Sequence, residues 1–210
     1  MEARPVRGPE PGSGLMHGRI IFLLEEPSMK VLLDGLLPRL FPGWQESRDF
    51  QCIAHDGKSD LERSVRIKLN AWRVPGDRFV VVRDNDSADC LSLKARLVQL
   101  CSQHGRPDAL VRLVCQELES WYIADLNALA LAFPECKIDT PALRKRFAQP
   151  DSWKKPSAEL ERLIPAFQKR SGARLMADRL REEDSRSPSF RAFVNGVRRL
   201  AHELGYQAPA

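Results

Sequence analysis

Short apolar runs alternate four times with longer amphipathic stretches over the first 136 residues. The apolar runs are typical of strands buried on both faces, and they occupy residues 19–26, 50–56, 78–84 and 109–117. The stretches that follow repeat their apolar residues at the helical interval, over residues 27–40, 59–72, 87–105 and 119–133. This alternation predicts an α/β fold, with a parallel sheet of about four strands and helices on both faces.

The pattern changes near residue 137, after which only helical spacing continues. Prolines punctuate the change, and helices are predicted over residues 141–148, 157–170, 171–181 and 188–204. Residues 1–17 contain charges, Pro and Gly without an apolar core, which is typical of a flexible leader and excludes a secretion signal. We therefore predict a leader at 1–17, an α/β domain at 18–136 and a helical extension at 137–210.

Positive charge is concentrated in the predicted extension. The whole chain has a net charge of +5, and residues 137–210 hold 16 Lys and Arg against 9 Asp and Glu, a balance of +7. Such a basic region is expected either to face an anionic partner or to be an ordinary solvated helical surface, and charge alone allows both.

Several classes of protein are excluded by composition. No apolar run reaches 18 residues, so no membrane-spanning helix is expected. The five cysteines lack paired spacing and the four histidines are scattered, which indicates free thiols in a reducing cytoplasm and no zinc centre. The phosphate-loop pattern GxxxxGK[ST] does not occur, so the chain is not expected to hydrolyse ATP by itself.

Carboxylates follow three of the four predicted strands. Glu25 ends the first strand, Asp84 and Asp86 end the third, and Glu119 follows the fourth. Parallel strands bring their carboxyl ends to one edge of a sheet, and residues two apart on an extended backbone point the same way. Hard divalent cations such as Mg²⁺ or Mn²⁺ prefer such oxygens, so we predict a metal site there. Helix capping is the alternative explanation for each acid.

These motifs resemble those of the Toprim domain. The first is "FLLEEPSMKVLLDGLLPRL" and the second is "VVVRDNDSADC". The resemblance implies a Toprim-like, Rossmann-like sheet in which Glu25, Asp84 and Asp86 bind Mg²⁺ and hydrolyse phosphodiester bonds, with Glu25 sharing a metal or acting as general base. The chain departs from the pattern at Glu26, where Gly is usual, and at Met29, where many members have an acid.

A wider likeness covers residues 18–205. The segments "HDGKSDL", "ELESWYIAD", "KKPSAELERLIPAFQKRSGA" and "SRSPSFRAFVNGVRRL" resemble a family of uncharacterised Toprim-like proteins encoded beside ABC-type or AAA ATPases in bacterial defence loci. This resemblance implies a nuclease effector of antiviral defence with an ATPase partner. A non-catalytic module that docks on such an ATPase is the alternative, favoured by the changes at Glu26 and Met29.

Cations in loops and at helix ends are the candidates for binding nucleic acid. We predict that role for Lys58, which can reach a phosphate as a point charge, and for Lys154, Lys155, Lys169 and Arg170, which cluster around the ends of the basic helices. The pattern leaves DNA and RNA open as substrates, and it allows a monomer or an oligomer. Trp121 and Tyr122 are expected to belong to the core.

Overall fold

A four-stranded parallel sheet forms the centre of the protein in the computed structural model, which describes residues 18–206. The strands are β1 (Ile20–Leu24), β2 (Phe50–Ala54), β3 (Arg78–Asp84) and β4 (Leu110–Val114). They lie in the order β2-β1-β3-β4, and each neighbouring pair is parallel. The predicted α/β fold is confirmed, and the predicted leader at 1–17 lies outside the described residues.

Nine α-helices surround this sheet within residues 18–206. They are α1 (Pro27–Leu40), α2 (Lys58–Ala71), α3 (Cys90–Gln103), α4 (Glu119–Ile123), α5 (Leu126–Ala132), α6 (Pro141–Arg146), α7 (Pro156–Leu163), α8 (Lys169–Ala177) and α9 (Pro188–Glu203). A 3₁₀ turn, Pro150–Ser152, precedes α7. Among these helices, none has the length and hydropathy needed to cross a bilayer.

Alternate residues of each strand enter two separate apolar layers. On one face, Ile21 and Leu23 of β1 pack in a layer with residues of α2 and α3. On the other face, Phe22 and Leu24 enter a larger layer that includes residues of α1, α4, α5, α8 and α9. The strands are therefore buried on both faces, as their continuous apolar runs predict.

Two of the helices after residue 137 pack directly on the α/β part, α9 on β4 and α8 on α1. Gly35 of α1 faces Ala177 of α8 closely enough that a Cβ at Gly35 would lie 2.8 Å from the Ala177 Cβ. The Arg112 side chain of β4 donates to the Ala192 carbonyl of α9 at 2.8 Å. Trp121 contacts Phe193 with ring centroids 5.2 Å apart, and its burial confirms that it belongs to the core.

Two of the predicted helices are interrupted. The stretch 119–133 is divided into α4 and α5 because Asp125 begins a new helix, accepting a hydrogen bond from Ala128 N at 2.9 Å. The predicted helix over 157–170 ends at Leu163, since Pro165 lacks an N–H and restricts the residue before it. The helix that follows then begins at Lys169.

Candidate metal centre

The carboxyl ends of β1 and β3 meet at the point where the strand order reverses. The chain moves from β1 outward to β2 and then returns to β3 on the other side of β1, which places Glu25 and Asp84 at the ends of neighbouring strands. Open α/β sheets bind ligands at this topological switch point. We call the acids gathered here the acidic edge, and it consists of Glu25, Glu26, Asp84, Asp86 and Glu119.

Asp84 is the buried centre of the acidic edge. Asp84 is the last residue of β3, it is 7% exposed, and its Oδ1 has no hydrogen-bond partner. Burial, followed by repulsion from the other four acids, raises the pKa of Asp84 well above its ordinary value. An unpaired buried carboxylate oxygen is unfavourable, so a cation bound to this atom would stabilise it.

Glu25 lies beside Asp84 and is oriented by the backbone and by one arginine. Its Oε2 accepts a hydrogen bond from Asp84 N at 3.1 Å and lies 3.7 Å from Arg83 Nε. Arg83 is itself held by Glu62, whose Oε1 lies 2.5 Å from Nη1. Burial and repulsion from Asp86 raise the pKa of Glu25, although Arg83 opposes the shift.

Asp86 is placed differently from the sequence expectation. The expectation that it shares the direction of Asp84 required an extended backbone, but β3 ends at Asp84 and Asp86 has a φ of 46°. The Asp86 side chain is 42% exposed and pairs with Lys58 Nζ at 3.1 Å. It therefore forms the outer, solvated part of the acidic edge.

Glu119 and Glu26 share one cation from the C-terminal helices. Glu119 is 1% exposed, and neither of its oxygens has a hydrogen-bond partner. Lys169, at the start of α8, lies 3.3 Å from Glu26 Oε2 and 3.9 Å from Glu119 Oε1. Burial raises the pKa of Glu119 to about 7, although Lys169 lowers it. Lys169, predicted to contact nucleic acid, thus reaches into the acidic edge instead.

Three nearby acids have ordinary structural roles. Asp89 caps α3 by accepting a hydrogen bond from Ser92 N at 2.8 Å. Asp125 caps α5, and Glu117 accepts a hydrogen bond from Ser157 N at 2.9 Å at the start of α7. Asp89 and Asp125 are N-cap residues and Glu117 accepts from the first turn of α7, so these three acids are not counted in the acidic edge.

The backbone next to the acidic edge adopts unusual conformations. Asp86, Ser87 and Gln116 have φ values of 46°, 66° and 67°, a region that residues other than glycine rarely adopt. The strained turns are linked, because Asp86 N donates to the Gln116 carbonyl at 3.2 Å and Ser87 Oγ donates to Gln116 Oε1 at 2.9 Å. Such strain is concentrated at functional sites.

The oxygens of the acidic edge suit a hard divalent cation. Within residues 18–206, no group of three or more His, Cys, Asp and Glu side chains is arranged to hold a metal ion as it stands. Asp84 Oδ1 and both Glu119 oxygens are nevertheless buried without hydrogen-bond partners, and carboxylate oxygens are the donors that Mg²⁺ and Mn²⁺ prefer. The chemistry of these oxygens therefore fits Mg²⁺ or Mn²⁺. To complete a metal site, the side chains of the exposed Asp86 and the Lys169-paired Glu26 would need to rotate.

The other predicted cations lie outside the acidic edge. Lys154 and Lys155 are exposed in the segment that leads into α7, and Arg170 is exposed in the first turn of α8.

Arg83, the partner of Glu25, is a residue of the site that the sequence did not predict. The sequence contained a signal for this role, because Arg83 lies between Val82 and Asp84 on a strand. Side chains alternate along a strand, so the Arg83 side chain points toward the α2 face, where Glu62 lies.

Comparisons with known proteins place the chain in a domain family. The sequence model of the family described as "Domain of unknown function (DUF4276)" matches residues 24–198, a range that includes the whole acidic edge. A search of curated proteins gave no match. Among solved structures, the C-terminal region of the OLD protein of Xanthomonas campestris pv. campestris is similar, with 15% identity, a TM-score of 0.48, and coverage of 89% of this chain and 98% of that chain.

Proposed function

We propose that this chain, which belongs to the DUF4276 family, is a nuclease of the Toprim type that uses Mg²⁺ or Mn²⁺ to hydrolyse phosphodiester bonds in DNA or RNA. The observation that carries the proposal is the buried Asp84 carboxylate. It lies at the topological switch point, with one oxygen unpaired and four further acids around it. Polypeptides keep such a destabilising arrangement where a function requires it.

The residues of the acidic edge take different parts in this function. Asp84 and Asp86 would hold the metal ion, and Glu119 supplies two further buried oxygens. Glu25, held by Asp84 N and Arg83, would share the ion or accept a proton from water. A bound divalent ion would neutralise charge on the phosphate and favour ionisation of the attacking water.

Cleavage assays test this function directly. Purified protein would be incubated with single-stranded DNA, duplex DNA and tRNA in the presence of Mg²⁺ or Mn²⁺. We expect Asp84→Ala and Glu25→Ala to lower the cleavage rate by several orders of magnitude. Glu135→Ala is the matched control, because Glu135 is an exposed acid in the loop after α5. Cleavage that survives both acidic-edge substitutions would place the active site elsewhere.

An ATPase partner and a role in antiviral defence also belong to the proposal, because the resemblance to defence-associated proteins implies them. The cleavage assay would therefore be repeated with any ATPase that is encoded beside this chain. Nucleic-acid cleavage that requires the partner would support an effector under ATPase control.

A non-catalytic docking module is the second candidate. It is favoured by Met29, which lies in the apolar core where many Toprim proteins have an acid, and by Lys169, which pairs with Glu26 inside the acidic edge. Absence of cleavage with every nucleic acid, with and without the ATPase, would select this second function.

A further inference from the structure

A separate groove lies between the end of α6 and the start of α7. It has a volume of about 660 Å³, within the usual range for small-ligand sites. We call it the basic groove, and it is lined by Lys145, Arg146, Ala148, Gln149, Ser152, Trp153, Lys154, Lys155, Ala158 and Glu159. Four of these side chains are cationic and exposed, and the one acid among them is Glu159.

One cation of the basic groove is held in a fixed position. Arg146 donates to Glu159 Oε2 at 2.7 Å, and its Cζ lies 5.1 Å from the centroid of the Trp153 ring. Trp153 is half-buried and packs edge-on against the buried Phe147, with ring centroids 5.1 Å apart. Groups that are already ordered lose less conformational entropy when a ligand binds.

A hydrogen bond holds the start of α7 beside the basic groove. Lys155 is the N-cap residue of α7, and two residues later Ser157 N donates to Glu117 Oε2 at 2.9 Å. Glu117 is in turn two residues before Glu119 of the acidic edge. This contact fixes the start of α7, which carries the exposed Lys155 of the groove.

The chemistry of the groove matches a nucleotide chain. Exposed lysines neutralise phosphates, and a planar guanidinium beside an aromatic ring offers a surface on which an unstacked base can lie. Bases inside a duplex present no free face to such a surface. We propose that the basic groove holds the phosphates and one base of a single nucleic-acid strand. This rests on the proposed function for its choice of ligand.

Binding measured without cleavage tests the proposal. A fluorescently labelled oligothymidylate would be titrated with the full chain in the presence of a chelator, and fluorescence anisotropy would report the dissociation constant. The double variant Lys154→Glu/Lys155→Glu should weaken binding by about tenfold or more and reduce its dependence on salt, because two phosphate contacts are lost. Trp153→Leu, which keeps an apolar side chain against Phe147, should weaken binding by roughly fivefold or more.

A second charge reversal provides the matched control. Lys94→Glu/Lys137→Glu changes the net charge by the same amount at two exposed lysines outside the groove, and it should leave the dissociation constant within about twofold of the unmodified chain. Thermal unfolding of every variant, with and without Mg²⁺, would verify that the fold and the acidic edge are intact.

The outcomes separate this proposal from the proposed function. Loss of binding in the groove variants, with Asp84→Asn still binding the oligothymidylate, supports the groove even where no cleavage is found. Equal binding by the groove variants and the unmodified chain overturns it, as does an equal loss in the control variant. A duplex that displaces the single strand, or a chain that binds no oligonucleotide, overturns it as well.

Discussion

At the scale of a single residue, burial of the Asp84 carboxylate is unfavourable for folding. The carboxylate is buried, one oxygen is unpaired, and the surrounding acids repel it. In the absence of divalent ions, Asp84→Asn should therefore raise the free energy of unfolding by roughly 0.5–2 kcal/mol, because a neutral amide of the same shape is cheaper to bury. Urea unfolding in a chelator measures the change.

Asp89→Asn is the matched control for this substitution. It removes the same charge from an exposed carboxylate, and asparagine caps a helix about as well as aspartate, so the free energy of unfolding should not change. Mg²⁺ should stabilise the unmodified chain and the control but not Asp84→Asn. An Asp84→Asn protein that is less stable than the control would show that the carboxylate has a favourable partner.

Single residues of the acidic edge differ in how far the sequence could predict them. Glu25 and Asp84 could be placed because each stands at the end of an apolar run. The outward position of Asp86 depends on a positive φ, which no hydrophobic pattern records. The pairing of Glu26 with Lys169 joins residues 143 positions apart, so it follows from the docking of α8 and not from local spacing.

The break between α4 and α5 belongs to the scale of an element. Asp125 produces it, since its carboxylate accepts hydrogen bonds from Ala128 N at 2.9 Å and from Arg181 N at 3.1 Å. Asp125→Ala should lower the free energy of unfolding by about 1–3 kcal/mol, because the buried Ala128 N and the part-buried Arg181 N both lose their acceptor. Asp125→Asn keeps one acceptor, so its free energy of unfolding should lie between those of the unmodified chain and Asp125→Ala. Urea unfolding distinguishes the three proteins. Equal stability of all three proteins would contradict this role.

Helix α8 is fitted to α1 through two small residues. Alanine normally stabilises a helix by about 1 kcal/mol relative to glycine. Gly35→Ala should instead destabilise the protein by about 1–3 kcal/mol, because the new Cβ would lie 2.8 Å from the Ala177 Cβ. Combining it with Ala177→Gly should restore part of the loss, and a double-mutant cycle from urea unfolding measures this coupling. Additive effects of the two substitutions would mean that the helices are not in close contact here.

At the scale of the whole molecule, the sheet could be predicted from the sequence, whereas the packing of the later helices could not. Strand and helix periods are local, so the parallel α/β order could be read directly from them. The packing of the later helices is not local, and one apolar layer contains both Phe22 of β1 and Phe193 of α9, with ring centroids 6.2 Å apart. The compositional change near residue 137 therefore does not mark a break in the core.

This shared core predicts that residues 18–136 do not fold alone. Removing residues 137–206 would expose the face of the sheet covered by α9 and the face of α1 covered by α8, and a domain cannot remain stable after losing so much apolar burial. The fragment 18–136 should show no cooperative urea transition and should bind a hydrophobic dye, whereas 18–206 should unfold in one cooperative step. A cooperative transition of the short fragment would mean that the α/β part is an independent domain and that the basic helices are an extension added to it.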